Sequence, residues 1–286
     1  MNKKQINNIF IWLAAIILIL IIMTPGLWVV LTAFRPQVDV MAKPAVWIPR
    51  NLNLIQFETM LFGGSEGSMG RSPIPVLSYL RNSIVISFTS TFIAVLVGTI
   101  GGYGFARHNF NHKNKYFLLI MLTRTIPGIS LSLPIFILFS KIGLIDTHLG
   151  IILVFVALNI PFTIWLTDGF FRQIPKAMSE VAMTDGCTKL QAFWHIELPL
   201  SKSGIASAGI FAFLISWNEY ALVSNLARST DSKTLTVGLM DFTAQFTINW
   251  PGMCALAVFI IIPALILTFM VQKHLVTGLT FGGVKG

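Results

Sequence analysis

The side chains in this chain that could carry out bond chemistry do not assemble into a set. There is no Ser/His/Asp group, no H-E-x-x-H, no C-x-x-C and no G-x-x-x-x-G-K-[ST] loop to cradle a nucleotide phosphate. Cys187 and Cys254 lack metal-ligand spacing and fall on distant segments, so neither a metal site nor a disulfide is expected. His195 stands alone, and one imidazole makes no ligand set. The polar residues in unusual places are Arg124, Asn159 and the triplet Trp217-Asn218-Glu219, all inside long apolar stretches. An ionisable side chain at membrane depth is costly and faces a bundle interior or a watery cavity. Their chemistry is therefore that of passage or helix contact. Arg124 reads as a pore or inter-helix contact, or as a side chain snorkelling to the interface. Glu219 reads as a partner for a polar substrate group, or as an interface acid. Asn159, with Pro161, reads as a bend that exposes carbonyls, or as a kink whose neighbours re-satisfy the backbone.

What must position these residues is a series of apolar runs. Of 286 residues, 55% are hydrophobic and 11% charged, whereas a soluble domain carries about 25% charged residues. So few charges cannot coat a globule of this size. The runs are about 20 residues long, the length that crosses a bilayer core. The sequence predicts an all-α membrane protein, one transmembrane domain over 1–286. Six helices are expected at about 9–33, 82–106, 116–139, 148–166, 204–226 and 252–271. The first run is longer than a signal-peptide core and no small-residue cleavage site follows it, so it reads as a retained helix. Gly98 and Gly102 form a G-x-x-x-G, a spacing that lets two helices approach closely.

The net charge of +9 lies between the apolar runs, where it reads as topology signal and headgroup contact, with no nucleic-acid partner. With the N-terminus in the cytoplasm, the inner segments hold Lys3, Lys4, Arg107, Lys113, Lys115, Arg172, Lys176, Lys189, Lys202, Lys273 and Lys285. The outer segments hold Arg35, Lys43, Arg50, Arg71, Lys141, Arg228 and Lys233. The 107–115 loop, with three basic residues and no acid, is the clearest indicator. Both termini are expected inside a bacterial-type cell membrane.

The inner segment 171–200, between the fourth and fifth runs, is the most informative. Pro175 suits the first position of a helix, where its missing N–H would be unpaired anyway. Ala177, Met178, Val181 and Ala182 then share one face. Gly186 fits the left-handed residue that ends a helix. Thr188 and Gln191 have capping-box spacing and open a second helix, which Pro199 stops. The product is a helix–turn–helix with an exposed apolar knob. It reads either as a docking surface or as a hairpin lying on the membrane.

This segment resembles the EAA loop of ABC-importer permeases, whose pattern is E-A-A, three residues, G, nine residues, I, one residue, L-P. Glu180-Val181-Ala182, Gly186, Ile196, Leu198 and Pro199 fall at those spacings, with Val181 in place of the first alanine. Trp217-Asn218-Glu219 resembles the W-N-E element of carbohydrate-importer permeases of the maltose type. The tail Gly278-Leu-Thr-Phe-Gly-Gly-Val-Lys-Gly286 is similar to their C-terminal G-L-T-x-G-x-V-K-G. Arg124-Thr-Ile-Pro127 followed by Pro134 also looks like that family.

The resemblance implies a permease subunit rather than an enzyme. Its EAA segment would be a coupling helix seated on a separate ATPase, with Glu180, Val181, Ala182, Gly186, Ile196, Leu198 and Pro199 as the coupling residues. Arg124, Asn159, Trp217, Asn218 and Glu219 are the candidate pathway residues. The implied partners are a second related permease, two copies of an ABC ATPase and a soluble solute-binding protein outside the membrane. ATP and Mg would be held by the ATPase, and no cofactor by this chain. The implied cargo is a saccharide or polyol, with a glycerol-phosphate-like substrate as the alternative. A membrane-embedded enzyme would need clustered acids or histidines, and a secondary transporter would show internal repeats; the sequence offers neither.

Overall fold

The computed structural model describes residues 3–44, 46–47, 49, 51–62, 74–243 and 248–280. Arg50, Arg71 and residues 281–286, with Lys285 and most of the tail motif, lie outside them. In chain order the helices are α1 (Lys3–Ala33), α2 (Gln37–Val40), α3 (Ile55–Phe62), α4 (Val76–Arg107), α5 (Lys113–Leu122), α6 (Gly128–Lys141), α7 (His148–Gln173), α8 (Lys176–Thr184), α9 (Lys189–Ala192), α10 (Leu198–Leu200), α11 (Lys202–Asn218), α12 (Val223–Leu226), α13 (Leu235–Gly238) and α14 (Trp250–Thr280). Among the described residues the only β pairing is an isolated bridge between Thr243 and Ile248.

Among the described residues four helices, α1, α4, α7 and α14, are long and apolar enough to cross a bilayer, and two bent pairs raise the total to as many as six. The third apolar run, expected as one helix over 116–139, is broken. α5 and α6 meet at 93° across a short 3₁₀ turn, Thr123–Thr125. The cause is Pro127, whose ring pushes the preceding residue out of the helical region: Ile126 is extended at φ −75°, ψ 120°. The fourth run extends to Gln173, past the expected end near 166. The fifth ends at Asn218 instead of 226, because Glu219 turns extended (φ −72°, ψ 121°). Its carbonyl accepts the Thr236 hydroxyl at 3.0 Å and its carboxylate accepts the Leu222 N–H at 3.0 Å, bonds that replace the helical ladder. The sixth reaches Thr280.

The chain forms two compact units, Met1–Leu77 with Gly238–Ile261, and Ser78–Val237 with Ile262–Gly286. In the first, Phe34 stacks on Phe57 at 5.0 Å and Phe57 meets Phe259 at 6.0 Å. Arg35 is buried there, its guanidinium 4.6 Å from the Trp28 ring and donating to the Trp47 carbonyl. Gln37 Nε2 donates to the Ile248 carbonyl at 2.7 Å.

The second unit is built on α4, α7 and α11. Lipid tails are as apolar as leucine, so such helices associate through close packing and hydrogen bonds between them. Gly98 and Gly102 supply the close approach of α4 to α7. A Cβ at Gly98 would lie 2.5 Å from Thr163, and one at Gly102 would lie 2.1 Å from the Thr167 hydroxyl. With no side chain in the way, Thr167 donates to the Gly98 carbonyl at 3.1 Å. Across the bundle, Asn159 Nδ2 of α7 donates to Ser216 Oγ of α11 at 2.9 Å, and Ser90 of α4 donates to the same hydroxyl at 3.3 Å.

At the end of the bundle where α7 begins, a polar clasp ties two loops to α4 and the start of α7. Asp146, in a left-handed conformation at φ 62°, accepts the N–H groups of Arg228 (2.8 Å) and Ser229 (2.9 Å) and the hydroxyl of Ser232. Asn82 at the start of the α4 bundle segment donates to the Thr230 and Lys233 carbonyls at 2.9 and 3.0 Å, and its carbonyl lies 3.1 Å from His148 Nε2. Burial alone would push the Asp146 carboxyl up. The donors from Ser229, Ser232 and Arg228 outweigh it and bring the carboxyl down to about 2.

Candidate functional site

At the other end of the second unit, the 171–200 segment folds as its local chemistry dictates. Pro175 sits one residue before α8, serving as its cap. The end of α8 closes by two bonds, Gly186 N–H to the Met183 carbonyl at 3.1 Å and Cys187 N–H to the Ala182 carbonyl at 3.0 Å. This double closure needs a left-handed residue between them, and Gly186 supplies it at φ +96°. A Cβ there would touch nothing within 4 Å, so the glycine answers to backbone conformation and not to crowding. Thr188 then opens α9 with a complete capping box: Gln191 N–H donates to the Thr188 hydroxyl at 3.3 Å, and Thr188 N–H to the Gln191 side chain at 2.7 Å. A π-helical turn, Phe193–Glu197, leads into α10, and Pro199 lies just before the 72° bend into α11.

The hairpin presents apolar side chains outward. Val181 is 60% exposed, and Met178 and Met183 are exposed beside it on α8. Glu180 is also exposed, while Ile196 and Leu198 are half-buried on the inner side. Beneath them Phe171, Phe193 and Ala106 form a small core with Tyr103, Ile174, Leu198 and Ile205 packed around it. Tyr103 and Phe193 are in aromatic contact at 4.5 Å.

A buried ion pair fixes the hairpin to the bundle. Arg107, the last residue of α4, lies with Nε 2.7 Å from Glu197 Oε1, and its Nη2 donates to Oε2 at 2.8 Å. The two side chains are 9% and 1% exposed. The same Nη2 donates to the Ile174 carbonyl at the end of α7 at 2.9 Å. Ser179 of α8 donates its hydroxyl to Glu197 Oε1 at 2.6 Å. One carboxylate and one guanidinium thus join α4, the end of α7, α8 and the π turn. Sequence reasoning missed this joint. Glu197 occupies the one free position inside the I-x-L-P element, and Arg107 was read as a topology charge. The signal was present: Glu197 is the sole acid between Gly186 and Asn218.

The candidate pathway residues are not gathered in one place. Arg124 occupies the 3₁₀ break between α5 and α6, exposed, its guanidinium 5.1 Å from the Phe162 ring and 3.5 Å from the Leu158 carbonyl. It is therefore not the mid-helix residue that the sequence suggested. Asn159 is fully buried in an unbroken α7, where its Nδ2 donates to Ser216. Trp217 is buried and stacks on Phe213 at 5.3 Å. Asn218 is exposed and donates to the Leu214 carbonyl. Glu219 lies outside the helix and caps the turn that follows it.

Residues 98–280 match the model of a family described as the binding-protein-dependent transport system inner membrane component. The chain belongs to this family. It is a multi-pass inner-membrane permease, a transport subunit and not an enzyme. Among curated relatives, it is 32% identical to the trehalose transport system permease protein SugB of Mycobacterium tuberculosis, with 92% of each chain covered. It is 29% identical to the sulfoquinovosyl glycerol transport system permease protein SmoH of Agrobacterium fabrum, over 96% of this chain and 93% of that one. Among solved structures, it superposes on a bacterial ABC transporter involved in the import of the acidic polysaccharide alginate. The TM-score is 0.76 at 20% identity, over 96% of this chain and 98% of the other. The permease fold is common to both.

Proposed function

We propose that this permease passes a saccharide or polyol through an ATP-driven importer, and that α8 is its coupling helix. The observation that carries the coupling reading is the outward apolar face of α8, anchored from behind by the buried Arg107–Glu197–Ser179 joint. An exposed apolar helix face at a membrane boundary suits a protein groove, and the joint gives it a mechanical path into α4 and α7. A separate ATPase pair binds ATP and Mg and closes on α8. The joint passes that displacement to the bundle, which alternates between inward- and outward-facing states. A second related permease completes the pore, and a soluble solute-binding protein delivers the cargo outside. The basic 107–115 loop and the 171–200 segment face the cytoplasm, as do both termini.

The cargo class follows the relatives, whose names specify trehalose, sulfoquinovosyl glycerol, diacetylchitobiose and arabinooligosaccharides. Arg124, at a break between two half-helices, and Asn218 are the residues that we assign to the pathway. Asn159, Trp217 and Glu219 brace the helices that line it.

The test is Val181→Asp. The site is exposed, so the chain should still fold and insert. Expected is loss of ATPase co-purification and of stimulated hydrolysis while the permease stays in the membrane at normal level. Undiminished assembly and hydrolysis would return the hairpin to a membrane-lying role.

A further inference from the structure

Beside the joint, α4 and the second arm of the hairpin enclose an open groove of about 540 Å³. Phe92, Leu96 and Ile100 of α4 form one wall, and Leu190, Trp194 and Leu198 the other. Leu190 and Trp194 are 67% and 54% exposed. The cationic group of the lining is Lys189, which opens α9; the His108 imidazole, which directly follows α4, offers a ring nitrogen beside it. Both belong to the hairpin end. From Phe92 to His108 is 16 residues, roughly 24 Å if helical throughout. That is close to one leaflet with its headgroups, about 20–22 Å.

An apolar lane on a membrane-spanning surface is filled by lipid or by a helix, since an empty one forfeits its dispersion contacts. Charge separates the two. Helices that end at the cytoplasmic face carry Lys and Arg there, as α1 of this chain does with Lys3 and Lys4. A helix from another subunit, or from a second copy, would bring such cations against Lys189. Lys176 lines the adjoining cavity and adds to the repulsion, whereas Arg107 there is paired with Glu197 and adds none. The acids of that cavity do not reverse the balance, because Glu197 is neutralised by Arg107 and leaves Glu180 alone. A lipid headgroup of negative charge meets the opposite situation.

We propose that this groove binds one anionic phospholipid of the cytoplasmic leaflet, its headgroup on Lys189 and His108 and an acyl chain along α4. Trp194 stands at the level of the headgroup, where amphipathic rings gather. The proposal rests on the cytoplasmic placement of the hairpin given above.

The test uses the transporter purified with the subunits that accompany it, passed through nanodiscs of equal phosphatidylglycerol and phosphatidylcholine, with retained lipid read by native mass spectrometry. Expected is one phosphatidylglycerol per chain in preference to phosphatidylcholine. Lys189→Gln should lower that preference about fivefold, Lys189→Arg should keep it, and Ile100→Trp should fill the lane and reduce both lipids. Equal retention of the two lipids, or an unchanged preference in Lys189→Gln, overturns the proposal. So does a disulfide cross-link from Leu96→Cys to a helix of an accompanying permease. Lipid is counted per chain whether or not the ATPase co-purifies, so failure of the coupling reading and failure of the lipid site give different results.

Discussion

Arg107 and Glu197 stand 90 residues apart in sequence, yet their side chains meet at 2.7 Å where four elements converge. Removing one partner of such a pair leaves the other charge buried without compensation, at a cost of about 3–5 kcal/mol. Arg107→Ala should therefore lower the thermal unfolding midpoint of the purified complex strongly. Glu197→Gln keeps one acceptor oxygen for Ser179 but leaves the Arg107 charge without its counter-ion, so it should lower the midpoint as well. Its effect should show in the ratio of sugar transported to ATP hydrolysed, which falls if the joint carries motion. An unchanged ratio with unchanged stability would remove the joint from the mechanism.

The turn at Gly186 separates backbone from bulk. Its surroundings are open, so only the positive φ restricts it. Gly186→Asn tolerates the left-handed region and should retain ATPase assembly. Gly186→Val should not, with a penalty of at least about 1–2 kcal/mol. Co-purification of the ATPase with each variant reads the difference.

The α4–α7 contact behaves oppositely. At Gly98 the space itself is taken by Thr163. Gly98→Val should force the helices apart and destabilise the bundle by about 1–3 kcal/mol, measured as a lowered unfolding midpoint in detergent. Gly104, where an added Cβ meets nothing, is the control: Gly104→Ala should be tolerated.

Asp146 sets an acid limit. Its carboxyl titrates near 2 in the folded chain, below its ordinary 3.8. The unfolded chain thus binds the proton first as pH falls. The clasp contributes its full stability above about pH 3.8 and loses it as pH drops toward 2. Asp146→Asn should be less stable at neutral pH and should flatten the acid limb of an unfolding-midpoint titration between those values.

Orientation can be read by labelling. In a Cys187→Ser, Cys254→Ser background, Asn114→Cys should react with an impermeant maleimide only in inside-out vesicles. Thr230→Cys should react only from the outside of intact cells. The reverse pattern would invert the topology proposed here.

Much of the hairpin was legible in sequence because its determinants are local. Gly186 and the Thr188–Gln191 pair act within a few residues and took the expected roles, while Pro175, expected at the first helical position, stands one residue before it as the cap. The apolar runs were legible for the same reason. The break at Thr123–Thr125 was not read, although Pro127 was visible, because hydropathy continues across it and a single proline inside a membrane helix is often tolerated. The early end of α11 depends on Thr236 bonding Glu219, and the Arg107–Glu197 pair depends on the α4 terminus meeting the π turn. No local pattern encodes either partner. Asn159 was noticed for its polarity, but only the packed bundle assigns it to Ser216.

α4 is held by Asn82 at one end and by Arg107 at the other, and is keyed to α7 between them at Gly98 and Gly102. The two anchors are roughly 37 Å apart along the helix. A rod pinned at both tips and toothed along its flank has little backlash. If α8 is the coupling helix proposed above, a stroke delivered at the Arg107 end of α4 would be carried along the helix to the Asn82 end, and the two mouths of the pathway would move together.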